Sequence, residues 1–372
     1  MFIRKLFCSA ALTRASTSCW AGQIIHVTPA QTPGTQFTFK HGISIGHWLA
    51  KFDEKIGYGG DWFGEADLTW LAEQGFDHLR FPVDSRLWRN DDGSLNLERI
   101  AVFEKALSMT KAKGMGVVLD MHFLPGGKYQ HSQQDPAVFT DIIEQKKAVD
   151  FIGKLGKHFV KEGDALRIEL LNEPSAPEPA QLNALYKNMI AAVRAHDKQR
   201  VLYIAPNLSS NFAHLAALEI PKDPKVAILV LYDEPTVFTH QRTSWKDYPD
   251  DMPPIDFPGT VPDLSAYLKP SHYAYKESGK QLTRDAVQAD FAKAQQWLKE
   301  HAPDKEIYLG VFGVYQKAPE GGRRNYLETV RLAAESQGWG WCVWDYKSVF
   351  GLRRQDNSVT PAIEGLFSKP PQ

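Results

Sequence analysis

The chain has 372 residues, and 43 Lys+Arg against 44 Asp+Glu give a formal charge of -1. That balance argues against nucleic acid or an anionic membrane surface as partner, and 43% hydrophobic with 23% charged residues excludes wholesale disorder. Three Cys cannot build a disulfide framework, and no apolar run approaches the roughly 18 residues that a membrane span needs.

Residues 1–22 carry a positive start, Arg4 and Lys5, then a short apolar run over Leu6–Leu12 and small residues. This resembles a signal peptide, although Arg14 breaks the apolar stretch early; the alternative is a frayed tail. The expected location is secreted or periplasmic rather than cytoplasmic. Residues 23–40 read as a lead-in segment, with Pro29, Pro33 and Gly34 as breakers.

Beyond it, short β-branched or aromatic runs alternate with helix-period stretches eight times. The expected strands are Gly42–Gly46, His78–Val83, Gly116–Asp120, Leu166–Leu171, Val201–Ala205, Val226–Tyr232, Ile307–Phe312 and Gly340–Trp344. Helices are expected over Glu65–Gln74, Leu97–Lys113, Lys146–Val160, Gln181–Arg194, Phe212–Leu218, Thr283–His301, Arg323–Gln337 and Thr360–Leu366. The strands are apolar almost throughout, as strands buried on both faces must be. Eight strand–helix units predict a single (β/α)8 barrel over 41–372. A doubly wound sheet would normally carry a glycine-rich phosphate loop after its first strand, and none is present. Pro249–Pro270 reads as one long loop.

In such a barrel, chemistry sits at the C-terminal ends of the strands. Those ends are polar: Arg80, Asp120 and His122, Asn172 and Glu173, Asn207, Tyr232 and Asp233, Trp344 and Asp345. Leu170–Pro174 runs a buried strand into Asn-Glu-Pro. Pro174 cannot continue a central strand, so Glu173 is expected at its last position, partly desolvated and suited to act as a general acid.

Other motifs give weaker signals. Gly42-Ile43-Ser44-Ile45-Gly46 matches the nucleophile-elbow pattern, but its five residues are themselves the first strand, where the elbow needs a strand before it and a helix after it. No His or Cys spacing suits zinc, and no metal or other cofactor is implied. Cys342 reads as a core residue and His240 as either a loop ligand or a surface histidine. Trp48, Trp88, Trp245 and Trp344 are placed on the active face, and Trp62, Trp70, Trp297 and Trp339 in packing positions.

Seven stretches in order, GISIGHWL (42–49), GFDHLRFPVD (75–84), GVVLDMHFLPGG (116–127), LLNEP (170–174), YDEPTVFTHQ (232–241), IYLGVFGVYQKAP (307–319) and GWGWCVWDYKSVFGL (338–352), make the chain resemble glycoside hydrolase family 5, the cellulase-type retaining glycosidases. The resemblance implies a carbohydrate ligand, a β-linked glucan or related β-glycoside. It implies that Arg80 holds the nucleophile's carboxylate, His122 lines the sugar site, Asn172 binds a sugar hydroxyl, Glu173 is the acid/base and Trp344 is the platform at the cleavage point. Tyr232 falls on the strand-6 motif and is expected to line the same cavity.

Retaining hydrolysis needs two carboxyls about 5–5.5 Å apart. The family's strand-7 motif reads G-E-F-G, its Glu being the nucleophile; here Val311 stands in that place, on the cavity wall. The strand-6 motif H-Y-Y-E-P has become Leu231-Tyr232-Asp233-Glu234-Pro235. Three functions follow as alternatives. The chain is a carbohydrate-binding relative with retaining hydrolysis impaired; or a glycosidase or transglycosylase using Glu173 as acid with Asp233 as relocated base or nucleophile, Arg80 keeping Asp233 ionised; or a protein with another ligand or reaction. The oligomeric state stays open.

Overall fold

A computed structural model describes residues 37–50, 62–126 and 134–367. The leader reading over 1–22 and most of the lead-in segment lie outside the described residues.

Ten strands occur among them: β1 (His41–Ser44), β2 (His78–Asp84), β3 (Gly116–Phe123), β4 (Leu166–Glu169), β5 (Leu202–Ile204), β6 (Val226–Val230), β7 (Gly259–Thr260), β8 (Gln281–Leu282), β9 (Ile307–Phe312) and β10 (Gly340–Val343). Eight of these close into a parallel barrel in the order β1-β10-β9-β6-β5-β4-β3-β2. The closing pair sets Gly42 opposite Cys342. The fold is therefore the (β/α)8 barrel that the alternation of strand and helix predicts. The Pro-dense loop is not wholly irregular, because β7 and β8 pair antiparallel inside the connection between β6 and β9.

Two apolar layers follow from the period of two along each strand. In β6, Val226, Ile228 and Val230 face the surrounding helices, while Ala227, Leu229 and then Leu231 face the barrel axis. The axis is filled by Val118, Tyr203, Ala205, Leu229, Tyr308 and Cys342. A side chain on Gly310 would meet the Tyr308 ring at 2.5 Å, so this strand needs glycine just before position 311.

The helix over Ile142–His158 starts four residues before the expected Lys146. Asp141 caps it by accepting from the amides of Ile143 and Glu144 at 2.7 and 3.4 Å. Ile142 and Ile143 are exposed in its first turn, which blurs the apolar period there. The segment 212–217 is a 3-10 turn rather than a full helix.

Candidate active site

Arg80 organises the mouth of the barrel. It lies inside β2, which is buried throughout, and is itself without solvent contact. Its Nε and Nη2 donate to the two carboxylate oxygens of Glu169, each at 2.8 Å. Nη2 also reaches Asn172 Oδ1 and Asp120 Oδ2, both at 2.9 Å, and Nη1 reaches Ser44 Oγ at 3.4 Å. Burial works against the guanidinium charge, yet Asp120 and Glu169 outweigh it and hold its pKa above the ordinary value. Burial pushes Glu169 upward and Arg80 opposes that push.

Arg80 was expected to hold a nucleophile or to keep Asp233 ionised. Its donors instead serve Glu169, Asp120, Asn172 and Ser44. Glu169 was missed from the sequence, although the signal was there. Leu166, Ile168 and Leu170 alternate with Arg167 and Glu169, so the polar pair must face the axis.

Asp120 also accepts from His122 Nδ1 at 2.9 Å, which fixes that ring. The His122 and Trp344 rings lie nearly parallel, 5° apart in plane and 6.0 Å between centroids. Trp344 packs on the inner apolar cluster that contains Leu231 and Val311. Val311 is 7% exposed, and its carbonyl accepts the Tyr232 amide at 3.1 Å. An isopropyl group and a leucine thus line this corner of the mouth.

Glu173 does not sit at a strand end. β4 stops at Glu169, and Glu173 follows on a turn with φ of 41°, a left-handed conformation that favours glycine. Its side chain is exposed, so the expected desolvation is absent. Its charge still acts on Glu169 and Asp233, which keeps it at the mouth. Asn207 braces this turn, exchanging amide hydrogen bonds with the Ala176 backbone at 2.8 and 2.9 Å.

Asp233 is half-buried. Burial, followed by the charges of Glu234 and Glu173, raises its carboxyl to about 7, with Lys246 opposing. This corrects the reading of Asp233 as a carboxylate kept ionised by Arg80. Tyr232 also departs from expectation. It stacks on Phe212 at 5.1 Å and donates to Asp290 Oδ2 at 2.8 Å, so it belongs to the layer outside the barrel. The structure therefore brings Arg80, Asn172, His122, Trp344, Val311, Glu173 and Asp233 to one mouth and leaves Tyr232 out.

Ser44 is a buried strand residue bonded to Arg80 and facing Cys342, with no elbow around it. Burial pushes the Cys342 thiol up to about 11, which keeps it protonated. Burial and Lys246 push His240 down to about 3, so its ring is neutral. Trp48 and Trp88 are core residues rather than platforms. No cluster of three metal-ligating side chains occurs among the described residues, and none of their helices is long and apolar enough to cross a membrane.

The model of the cellulase family, glycosyl hydrolase family 5, matches residues 46–349. The chain belongs to that family. It is similar to Endoglucanase C of Acetivibrio thermocellus, with 28% identity over 327 residues covering 86% of this chain and 94% of the relative. Endoglucanase 3 of Fibrobacter succinogenes is 24% identical over 92% of this chain and 54% of its own length. Among solved structures, the Clostridial cellulose synthase subunit Z from Clostridioides difficile superposes with a TM-score of 0.73 at 22% identity, covering 89% of this chain and all of that one. A hyperthermophilic endo-β-1,4-glucanase in complex with substrate gives 0.71 at 21% identity, over 89% and 97%. These likenesses establish the fold.

Proposed function

We propose that this protein binds a β-linked glucan at the barrel mouth and does not hydrolyse it by the retaining route. The observation that carries this is Val311, packed with Leu231 and Trp344 in place of a carboxylate. A valine can neither attack an anomeric carbon nor stabilise an oxocarbenium ion. The binding parts remain. Trp344 offers an apolar face, His122 is held by Asp120, and Asn172 keeps its Nδ2 to donate while its oxygen accepts from Arg80. The relatives' printed names as endoglucanases support the choice of a glucan. The reading includes export from the cytoplasm, on the signal-like opening residues.

Titration calorimetry with cellotetraose tests the binding half. Micromolar to millimolar affinity that Trp344→Ala weakens supports it; no heat of binding at any accessible concentration contradicts it.

One observation favours a second reading. A carboxyl raised to about 7 suits a proton donor at neutral pH, so Asp233 would be the acid and the exposed Glu173 the base. This reverses the assignment made from sequence. Inverted product anomers followed by NMR would support it; retained anomers would exclude it.

The same carboxyl predicts a stability profile. The folded form titrates above the unfolded value of 3.8, so folding takes up a proton. Its contribution is fully present below about pH 4 and is lost as the pH rises through about 7. Relative to Asp233→Asn, the wild type should lose roughly 1–3 kcal/mol across that window and nothing further above it. Urea midpoints from pH 4 to 8.5 would show this; a constant gap between the two proteins would refute it.

A further inference from the structure

The turn after β5 grips both carboxyl-bearing stretches of the mouth. Asn207 is 6% exposed, and its side-chain amide exchanges hydrogen bonds with the Ala176 backbone, just past Glu173. Ser209 N donates to the carbonyl of Pro174, the residue after Glu173, at 3.1 Å. The other side of the same turn receives the end of β6. Leu231 N donates to the Ser210 carbonyl at 2.8 Å, and Asn211 forms a parallel bridge with Leu231. Asp233 follows two residues later.

The turn is strained. Leu208, Ser209 and Ser210 stand in succession at φ of 56°, 63° and 57°, a left-handed run with no glycine in it. The buried Ser210 hydroxyl has no hydrogen-bond partner among the described residues. Such a conformation persists only where its surroundings impose it, and here the surroundings are the two stretches that carry Glu173 and Asp233. No hydrogen bond or ion pair holds the Glu173 carboxylate among the described residues, so its backbone, itself at φ of 41°, sets its place.

We propose that the turn over 207–211 is a spacer that fixes the Glu173 carboxylate against Asp233, with Asn207 as the positioning residue that locks the Glu173 turn in place. The charges that face Asp233 are few. Glu234 adjoins it, Glu173 comes from the clamped turn, and Lys246 comes from the connection after β6. Tyr232, and Tyr326 from the helix over Glu320–Ser336, are pushed upward by burial and stay neutral, as does His240 beyond Thr239, whose hydroxyl donates to the Asp233 carbonyl. Glu173 is the charge among these that the spacer controls. Held near, it helps Asp233 keep its proton, so the mouth presents one hydrogen-bond donor beside one carboxylate. These are the two carboxyls that the inverting reading assigns as acid and base, but the test below needs no substrate and is decided apart from either reading of function.

Carbon-13 NMR titration of the Asp233 carboxyl in the free, full-length protein tests the spacer. In the wild type it should titrate near 7. Glu173→Gln should lower the midpoint, because it removes a like charge. Asn207→Ala should lower it in the same direction, at least about half as far, and the double variant should titrate as Glu173→Gln does. That last equality separates positioning from a structural loss. A loosened fold would shift Asp233 equally in both Glu173 backgrounds, whereas a spacer has nothing left to place once the charge is gone. Where Asn207→Ala does not fold, Asn207→Ser takes its place in both backgrounds, since its shorter hydroxyl cannot bridge the Ala176 amide and carbonyl together. An Asp233 midpoint that ignores the Asn207 variants while following Glu173→Gln would overturn the proposal. So would shifts that add in the double variant, or a midpoint indifferent to Glu173→Gln.

Discussion

Replacing Val311 by glutamate is expected to raise hydrolysis of an aryl β-glycoside only slightly above background, and adding Leu231→His and Asp233→Tyr should lift the rate at least about tenfold further. The new carboxylate in Val311→Glu enters a cluster of Leu231 and Trp344, where desolvation disfavours its charge. Asp233 and Glu173 already share the mouth, so any ionised fraction adds a like charge and raises the new pKa again. Arg80 offers little relief, since its donors are engaged by Glu169, Asp120, Asn172 and Ser44. The triple variant removes the leucine and the competing acid together. Initial rates decide the matter. Equal inactivity of single and triple variants, with unfolding midpoints intact, would mean that the mouth no longer accepts such substrates.

The second large effect concerns Arg80→Met, which should cost about 3–5 kcal/mol of stability. The loss is not that of a surface ion pair. Glu169 and Asp120 are both buried and would be left with no guanidinium between them. In the variant Glu169, already pushed upward by burial, loses the guanidinium that opposes that push, so the folded state takes up a proton. The deficit is therefore smallest at acid pH and grows as the pH rises toward neutrality. Adding Glu169→Gln should recover part of the loss at neutral pH, because it removes one orphaned charge. Urea midpoints over pH 4 to 8 test this. A deficit below about 1 kcal/mol, or one independent of pH, would show that Arg80 is not the electrostatic centre of the site.

The architecture was legible because strand and helix periods differ. Runs such as VAILV and GVVLD are apolar on both faces and read as strands of a parallel sheet covered on both sides. Most expected ends fell within two residues of the observed ones. The helix at Ile142 is the main departure, since exposed isoleucines hide its first turn. Within the site, Arg80, His122, Asn172 and Trp344 were readable from motif and position. What failed was side-chain direction after the strands end. Asp233 and Tyr232 follow β6 in a stretch that no strand period governs, and the tyrosine turns outward to Asp290. Glu173 lies beyond the end of β4, where a left-handed turn lifts it into solvent. Glu169 shows the reverse failure. It lies inside the strand, where attention to the ends passes over it.

The central claim is a glucan site that binds without retaining hydrolysis. Its most direct test is turnover of cellohexaose by the wild type beside Glu173→Gln, with calorimetric binding measured on both and product anomers followed by NMR. The account predicts that both proteins bind the hexasaccharide with similar affinity and that wild-type product formation stays at the Glu173→Gln background. Release of products with retained configuration by the wild type, abolished in Glu173→Gln, would contradict it.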